Sequence, residues 1–185
     1  MEIVLGSKSP RRKELLEGMG YSFIVDVKDV KEDINEYKTP KEYVKKTAIK
    51  KGLETAKYHQ DALVICADTI VEHNGDILEK PKNKDDARRM ITSLSNDTHH
   101  VYTAVFLSYK NKKKVFVEGT KVTVDYMSSE EIEAYIDSNE PYDKAGAYAI
   151  QGIFSKYIKK IDGDYYNVMG LPVNKLYQEI KKITK

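Results

Sequence analysis

Ile3-Val4-Leu5-Gly6-Ser7-Lys8-Ser9-Pro10-Arg11-Arg12-Lys13 is the stretch whose reading decides the fold. Three apolar residues predict a short buried strand, and Gly6 ends it. Ser9 then caps a helix through its hydroxyl, and Pro10 fits the first turn, where its missing N–H costs nothing. Leu15, Leu16 and Met19 supply the stripe that this helix buries. Stability alone does not account for the charges. Lys8, Arg11, Arg12 and Lys13 crowd the end where the helix dipole is already positive, and each cation there is disfavoured by roughly 0.3–1 kcal/mol. A bound polyanion resolves that conflict, because free backbone N–H groups and guanidinium forks together hold phosphate. The alternative is a merely solvated basic turn.

Outward from this junction, strands and helices alternate. Residues 21–25 predict a strand, and residues 26–38 a charged loop. Thr39-Pro40-Lys41-Glu42 is a capping box that opens a helix to about Tyr58. Residues 62–73 predict a strongly apolar strand, turned back at Asn74-Gly75. Ala87, Met90, Ile91 and Leu94 share one face of a helix capped near Asn83. Two strands follow, at about 101–109 and 115–126, joined through Lys112-Lys113-Lys114 in a solvated turn. Ser128 and Glu131 form a second capping box, with its helix reaching about Ser138. Residues 146–152 predict a small-residue loop, and residues 153–161 a strand turned at Asp162-Gly163. The last helix is expected to bury Val173, Leu176, Tyr177 and Ile180. Hairpins interrupt the parallel crossovers, so the expected class is α/β with a mixed sheet. No repeat or linker divides the 185 residues, which fit one domain over 1–185.

Composition narrows the function. With 31 basic and 29 acidic residues the net charge is +2, too little for a global field that attracts nucleic acid. Cys66 is the one cysteine, which excludes a disulfide framework and suits a reducing compartment. Lys8 interrupts any signal-peptide core, and no apolar run approaches the roughly 20 residues that span a bilayer. The expected location is the cytoplasm. There is no GxxxxGK[ST], no GxGxxG, no HxxxH, no CxxC and no nucleophile elbow, so P-loop, Rossmann, zinc and serine-hydrolase readings lack support. His99 and His100 are adjacent and point to opposite faces of a strand.

Asp68 interrupts an apolar run, Leu63-Val64-Ile65-Cys66-Ala67 before it and Thr69-Ile70-Val71 after it. An isolated carboxylate there carries a desolvation cost of several kcal/mol unless paired or metal-bound. It is either a structural ion pair or a metal ligand or general base lining a cleft. Lys51 shares an inward stripe with Val44 and Ala48, although lysines also snorkel from such positions. Lys80, in Glu79-Lys80-Pro81, follows the hairpin and has a route back toward Asp68. Glu32 and Asp33 lie in a mixed-charge loop. With Asp68 they would complete an oxygen site for Mg²⁺ or Mn²⁺. In Asp143-Lys144-Ala145-Gly146-Ala147-Tyr148-Ala149-Ile150-Gln151-Gly152, small residues let a flat ligand approach the backbone, and Gln151 carries an amide suited to a base edge.

These segments, in this order, resemble the Maf family, the septum-formation-associated nucleoside triphosphate pyrophosphatases, over essentially the whole chain. The resemblance also rests on Glu14-Leu15-Leu16, on His100 through Thr103, and on Gly163-Asp164-Tyr165 through Gly170-Leu171-Pro172. It implies a mixed twisted sheet flanked by helices, with two lobes around a central cleft, as in inosine-triphosphatase-like folds. It also implies hydrolysis of a nucleoside triphosphate to monophosphate and pyrophosphate with Mg²⁺ or Mn²⁺. By position, Asp68 matches the general base, and Ser7, Arg11, Arg12, Lys51 and Lys80 the phosphate-binding set. Glu32 matches a further acidic position that joins Asp68 at the metal. Arg11, Thr69 and Gln151 match positions associated with base preference, and Thr69 and Gln151 there resemble the dTTP/UTP branch, not the 7-methyl-GTP one. Ala149 and Ala104 depart from frequent glycines; both are small, so an altered loop with intact activity is expected. The rival readings are an inosine-triphosphate-type pyrophosphatase and a nucleotide-sensing division regulator without turnover. Neither nucleic acid nor membrane is an expected partner, and assembly is left open, a homodimer being the candidate.

Overall fold

A strand flanked on both edges is buried on both faces, and Ile3, Val4 and Leu5 are all buried. The computed structural model describes residues 1–31 and 37–185. β1 (Ile3–Leu5) pairs in parallel with β2 (Ile24–Val25) and with β3 (Leu63–His73), so that Leu5 lies opposite both Val25 and Ile65. The parallel connections are α1 (Pro10–Gly18) and α2 (Pro40–Ala56), each opened by its cap and a first-turn proline. The Thr39 hydroxyl accepts the Glu42 N–H, while the Glu42 carboxylate reaches one residue further back, to the Lys38 N–H.

β3 turns at Asn74 and Gly75, both with positive φ, into antiparallel β4 (Asp76–Leu78). There follow α3 (Lys84–Leu94), β5 (Thr98–Tyr109), β6 (Lys112–Val124), α4 (Ser129–Ile136), β7 (Ile158–Asp162), α5 (Tyr165–Met169) and α6 (Val173–Ile183). The strand order is β2-β1-β3-β5-β6-β7, with β4 paired to β3. The sheet is mixed and helix-flanked, as the alternation of patterns predicts.

The chain divides into two compact units. The first comprises Met1–Asp68, Thr103–Glu118 and Gly170–Lys185. Its core gathers Val4, Ala62, Val64, Cys66 and Phe106, with Ile49 and Ala56 packed against them. Gly52 of α2 faces the Phe106 ring so closely that any side chain there would collide with it. The second unit comprises Thr69–Tyr102 and Gly119–Met169. There Arg88 of α3 forks onto Glu133 of α4, and Asn167 of α5 donates to Val101 O and Thr120 Oγ1 at 3.0 Å each.

Several local expectations are corrected. Lys112-Lys113-Lys114 open β6 instead of forming the turn, which falls at Lys110 and Asn111. Residues 21–25 yield only the two-residue β2, whose Ile24 and Val25 are exposed, so no buried face extends the strand. Residues 153–161 begin as a 3₁₀ turn, Ile153–Tyr157, before β7. The buried positions are Phe154 and Tyr157, three apart, a helical and not a strand spacing. Tyr177 is exposed, because α6 buries Leu176, Glu179, Ile180 and Ile183; likewise Met19 caps α1 half-buried while Leu15 and Leu16 fill the core.

Candidate active site

The first unit assembles four of the expected residues. Gly6 leaves β1 with its N–H on Ile65 O at 2.9 Å, and its missing side chain makes room for Cys66 Sγ. The close approach brings the next residue, Ser7, into a buried position. The Ser7 hydroxyl accepts the Ser9 N–H at 3.2 Å and Arg12 Nη1 at 3.1 Å. Arg12 Nε donates in turn to Gly170 O at 2.9 Å. The guanidinium is therefore held at two points, by the β1–α1 turn and by Gly170, the residue that follows α5. Burial lowers the Arg12 pKa from its ordinary value and the Asp68 charge opposes this, with the neighbouring Arg11 adding to the depression. Arginine stays cationic regardless.

Lys51 Nζ donates to Asp68 Oδ1 at 2.8 Å, with side chains 23% and 15% exposed. α2 delivers Lys51 from its buried stripe, where Thr55, one turn on, donates its hydroxyl to Lys51 O at 3.0 Å. The structural ion pair weighed for Asp68 thus exists. The same geometry leaves a half-buried carboxylate and two cations, Lys51 and Arg12, within electrostatic reach of one another. Arg11 is half-buried on the first turn of α1. The remaining charges that crowded the helix start have ordinary outlets: exposed Lys8 lies 3.5 Å from Asp29, and Lys13 lies 3.9 Å from Glu17. Glu32 and Asp33 lie outside the described residues. The acceptor role of Gly170 O was not legible in sequence, since a backbone carbonyl carries no residue signal.

The second unit holds the other expected residues. Thr69 is half-buried in β3; Lys80 is exposed beyond β4, and Gln151 is exposed on the small-residue loop. Gly146 bends that loop at φ 68°, a left-handed conformation that favours glycine, and Val71 leaves no room for a side chain. Its N–H bonds Glu79 O at 3.2 Å, so the loop is tied to the segment carrying Lys80. Tyr148 packs its ring on Phe154 and places its hydroxyl 2.6 Å from His99 Nε2. Ala104 and Ala149 are buried and neither is left-handed, so alanine fits both positions without backbone strain.

For a divalent cation, the described residues offer no group of three His, Cys, Asp or Glu side chains. Magnesium is often held by one or two carboxylates plus substrate phosphates, and Asp68 meets that requirement as the carboxylate. The donor set fits a hard cation that arrives with phosphate.

The fold defines the class first. The chain superposes on the Ham1 protein of Staphylococcus aureus with a TM-score of 0.53 at 17% identity, over 100% of both chains. It superposes on a HAM1 protein from Coxiella burnetii with a TM-score of 0.50 at 12% identity, over 98% of this chain and 99% of that one. This likeness is one of fold. The family follows from the sequence: the family model described as Maf-like protein matches residues 2–183, and the chain belongs to the Maf family. It is 46% identical over 181 residues to a dTTP/UTP pyrophosphatase of Bacillus cereus (strain AH187), covering 98% of this chain and 95% of that protein. A dTTP/UTP pyrophosphatase of Bacillus anthracis matches to the same extent.

Proposed function

We propose that this chain hydrolyses dTTP and UTP to the nucleoside monophosphate and pyrophosphate, with Asp68 as general base. The observation that carries the reading is the Lys51–Asp68 pair at 2.8 Å, within the field of the doubly anchored Arg12. Water attacks the α-phosphorus and the bond to the bridging oxygen breaks, so negative charge builds on the departing pyrophosphate. Asp68 takes the water's proton. Ser7, Arg11, Arg12, Lys51 and Lys80 are the proposed phosphate ligands. Arg12 supports that role best, because its two hydrogen bonds hold the cation in place before substrate arrives, and preorganised charge stabilises a transition state without reorganisation. Lys51 moves between partners: in the free chain it holds Asp68, and a triphosphate competes for its ammonium, which leaves the carboxylate able to accept a proton. Asp68 would hold Mg²⁺ or Mn²⁺ together with the substrate's phosphate oxygens, and the bound ion would neutralise charge on the triphosphate. Glu32 is the proposed second acidic ligand.

Arg11, Thr69 and Gln151 are the proposed readers of the base, with the Gln151 amide able to both donate to and accept from a pyrimidine edge. The names of the 46%-identical Bacillus proteins favour pyrimidine triphosphates over the inosine-type alternative. Cytoplasmic nucleotides are the proposed pool; among the described residues no helix is long and apolar enough to cross a membrane. The test is incubation of the purified chain and Mg²⁺ with dTTP, UTP, CTP, ITP and 7-methyl-GTP, quantifying pyrophosphate and orthophosphate separately. Pyrophosphate release strongest with dTTP and UTP is expected. Orthophosphate as the main product, or no turnover, overturns the proposal.

A further inference from the structure

We infer that the Glu140 carboxylate is a positioning residue for the loop that carries Gln151, and so sets nucleotide discrimination without touching the nucleotide. This rests on the reading of Gln151 as a base reader. Glu140 is half-buried just before the Pro141–Asp143 turn. Its Oε2 accepts the Ile153 N–H at 2.7 Å, and its Oε1 accepts the Phe154 N–H at 3.3 Å and the Tyr135 O–H at 3.0 Å. The Tyr135 hydroxyl also lies 3.0 Å from Ala147 O. Burial first, and then the Glu140 charge, push the Tyr135 hydroxyl well above its ordinary pKa, so it remains a donor.

The loop is thereby held on both sides of Gln151. Tyr135, its one proton shared between Glu140 Oε1 and Ala147 O, reaches the incoming arm, and Glu140 takes the two consecutive N–H groups on the outgoing arm. A carboxylate suits this place because it carries no hydrogen and accepts from all three donors, with charge-assisted bonds roughly twice as strong as neutral ones. A glutamine offers one acceptor oxygen and must turn its NH₂ toward part of the set. Gly152 supplies the second observation. Its φ of −96° is open to any residue, yet a Cβ there would collide with the Glu140 carboxylate. A side chain at position 152 would therefore displace the carboxylate from the place it holds.

The test compares wild type with Glu140→Gln, Glu140→Ala, Gly152→Ala, Gln151→Ala and the Glu140→Ala/Gln151→Ala double variant. Steady-state pyrophosphate release is measured on dTTP, UTP and CTP, with melting temperatures alongside. Gln151→Ala is expected to cut the preference for dTTP over CTP by about fivefold or more, the low end for a bidentate base contact. Glu140→Ala and Gly152→Ala should cut it in the same direction through KM, with kcat within about threefold, and Glu140→Gln should fall between them and wild type. The double variant should lose no more preference than Gln151→Ala alone, because both changes remove one function. Losses that multiply, or a uniform drop in kcat that tracks lowered melting temperature with preference intact, overturn the inference. Gly152→Ala and Glu140→Gln decide the matter if Glu140→Ala fails to fold. An unchanged preference in Gln151→Ala overturns both the base-reading role and this inference. A wild type without dTTP or UTP turnover overturns the functional reading itself, which is a separate result.

Discussion

Asp68 and Arg12 show how one side chain's role depends on what its neighbours leave it to do. Asp68 is held by Lys51 at 2.8 Å, so Asp68→Asn removes the proposed base while changing little in shape. Its turnover of dTTP should fall by about 10²–10⁴-fold, the usual cost of losing a general base, with the melting temperature near wild type. Full activity in that variant sinks the assignment. Arg12 has the opposite character, because its fork must serve Gly170 O and Ser7 Oγ together. A lysine keeps the charge but not that fork. Arg12→Lys should therefore raise KM for the triphosphate by about tenfold, roughly one lost hydrogen bond to a charged group; an unchanged KM would show that charge alone matters.

Between elements, the site depends on the close approach of the β1–α1 turn to β3. Adding a Cβ to Gly6 drives it into Cys66 Sγ, with Thr55 Oγ1 also close, and all three are buried. Overpacking of this kind costs typically about 1–3 kcal/mol. At about 2–4 °C per kcal/mol for a chain of this size, Gly6→Ala should melt several degrees lower. Cys66→Ala frees the contested space, so the Gly6→Ala/Cys66→Ala pair should lose less than the sum of the two single changes; strict additivity in thermal melts would refute the packing account. The element boundaries that sequence patterns missed have the same origin. Ile153-Phe154-Ser155-Lys156-Tyr157 reads as a strand by composition, but the buried space admits Phe154 and Tyr157 with a helical spacing.

For the whole molecule, pH and ligands provide the checks. Burial, with the charges of His73 and His100 behind it, lowers the His99 pKa to about 3, and Asp97 opposes this. The unfolded chain binds a proton at this histidine below about pH 6.5, while the folded chain stays neutral until about pH 3. Stability should thus be fully present above pH 6.5 and decline as the pH falls toward 3. The slope from this one group is up to about 1.4 kcal/mol per pH unit. Denaturant melts of His99→Gln should show a shallower acid decline than wild type, and identical slopes would refute the contribution. Chelation with EDTA should stop pyrophosphate release and added Mg²⁺ should restore it; turnover that persists under chelation removes the metal from the mechanism. The patterns at this scale were largely legible. Apolar runs and caps by themselves determined the alternating elements and the mixed α/β class, because burial periodicity and turn chemistry are local properties of the chain; the family rested on the resemblance of its ordered motifs. The same patterns marked Asp68 and the cations Lys8, Arg11, Arg12 and Lys13 as out of place for stability alone, while Ser7 and Lys51 entered the site through the resemblance. Only the tertiary structure decided that Asp68 is joined to Lys51, that Arg12 is anchored on Gly170 O, and that Glu140 holds the far arm of the Gln151 loop. Those facts join residues distant in sequence, and a carbonyl or a carboxylate acquires its partner only when packing brings the donor within hydrogen-bond reach.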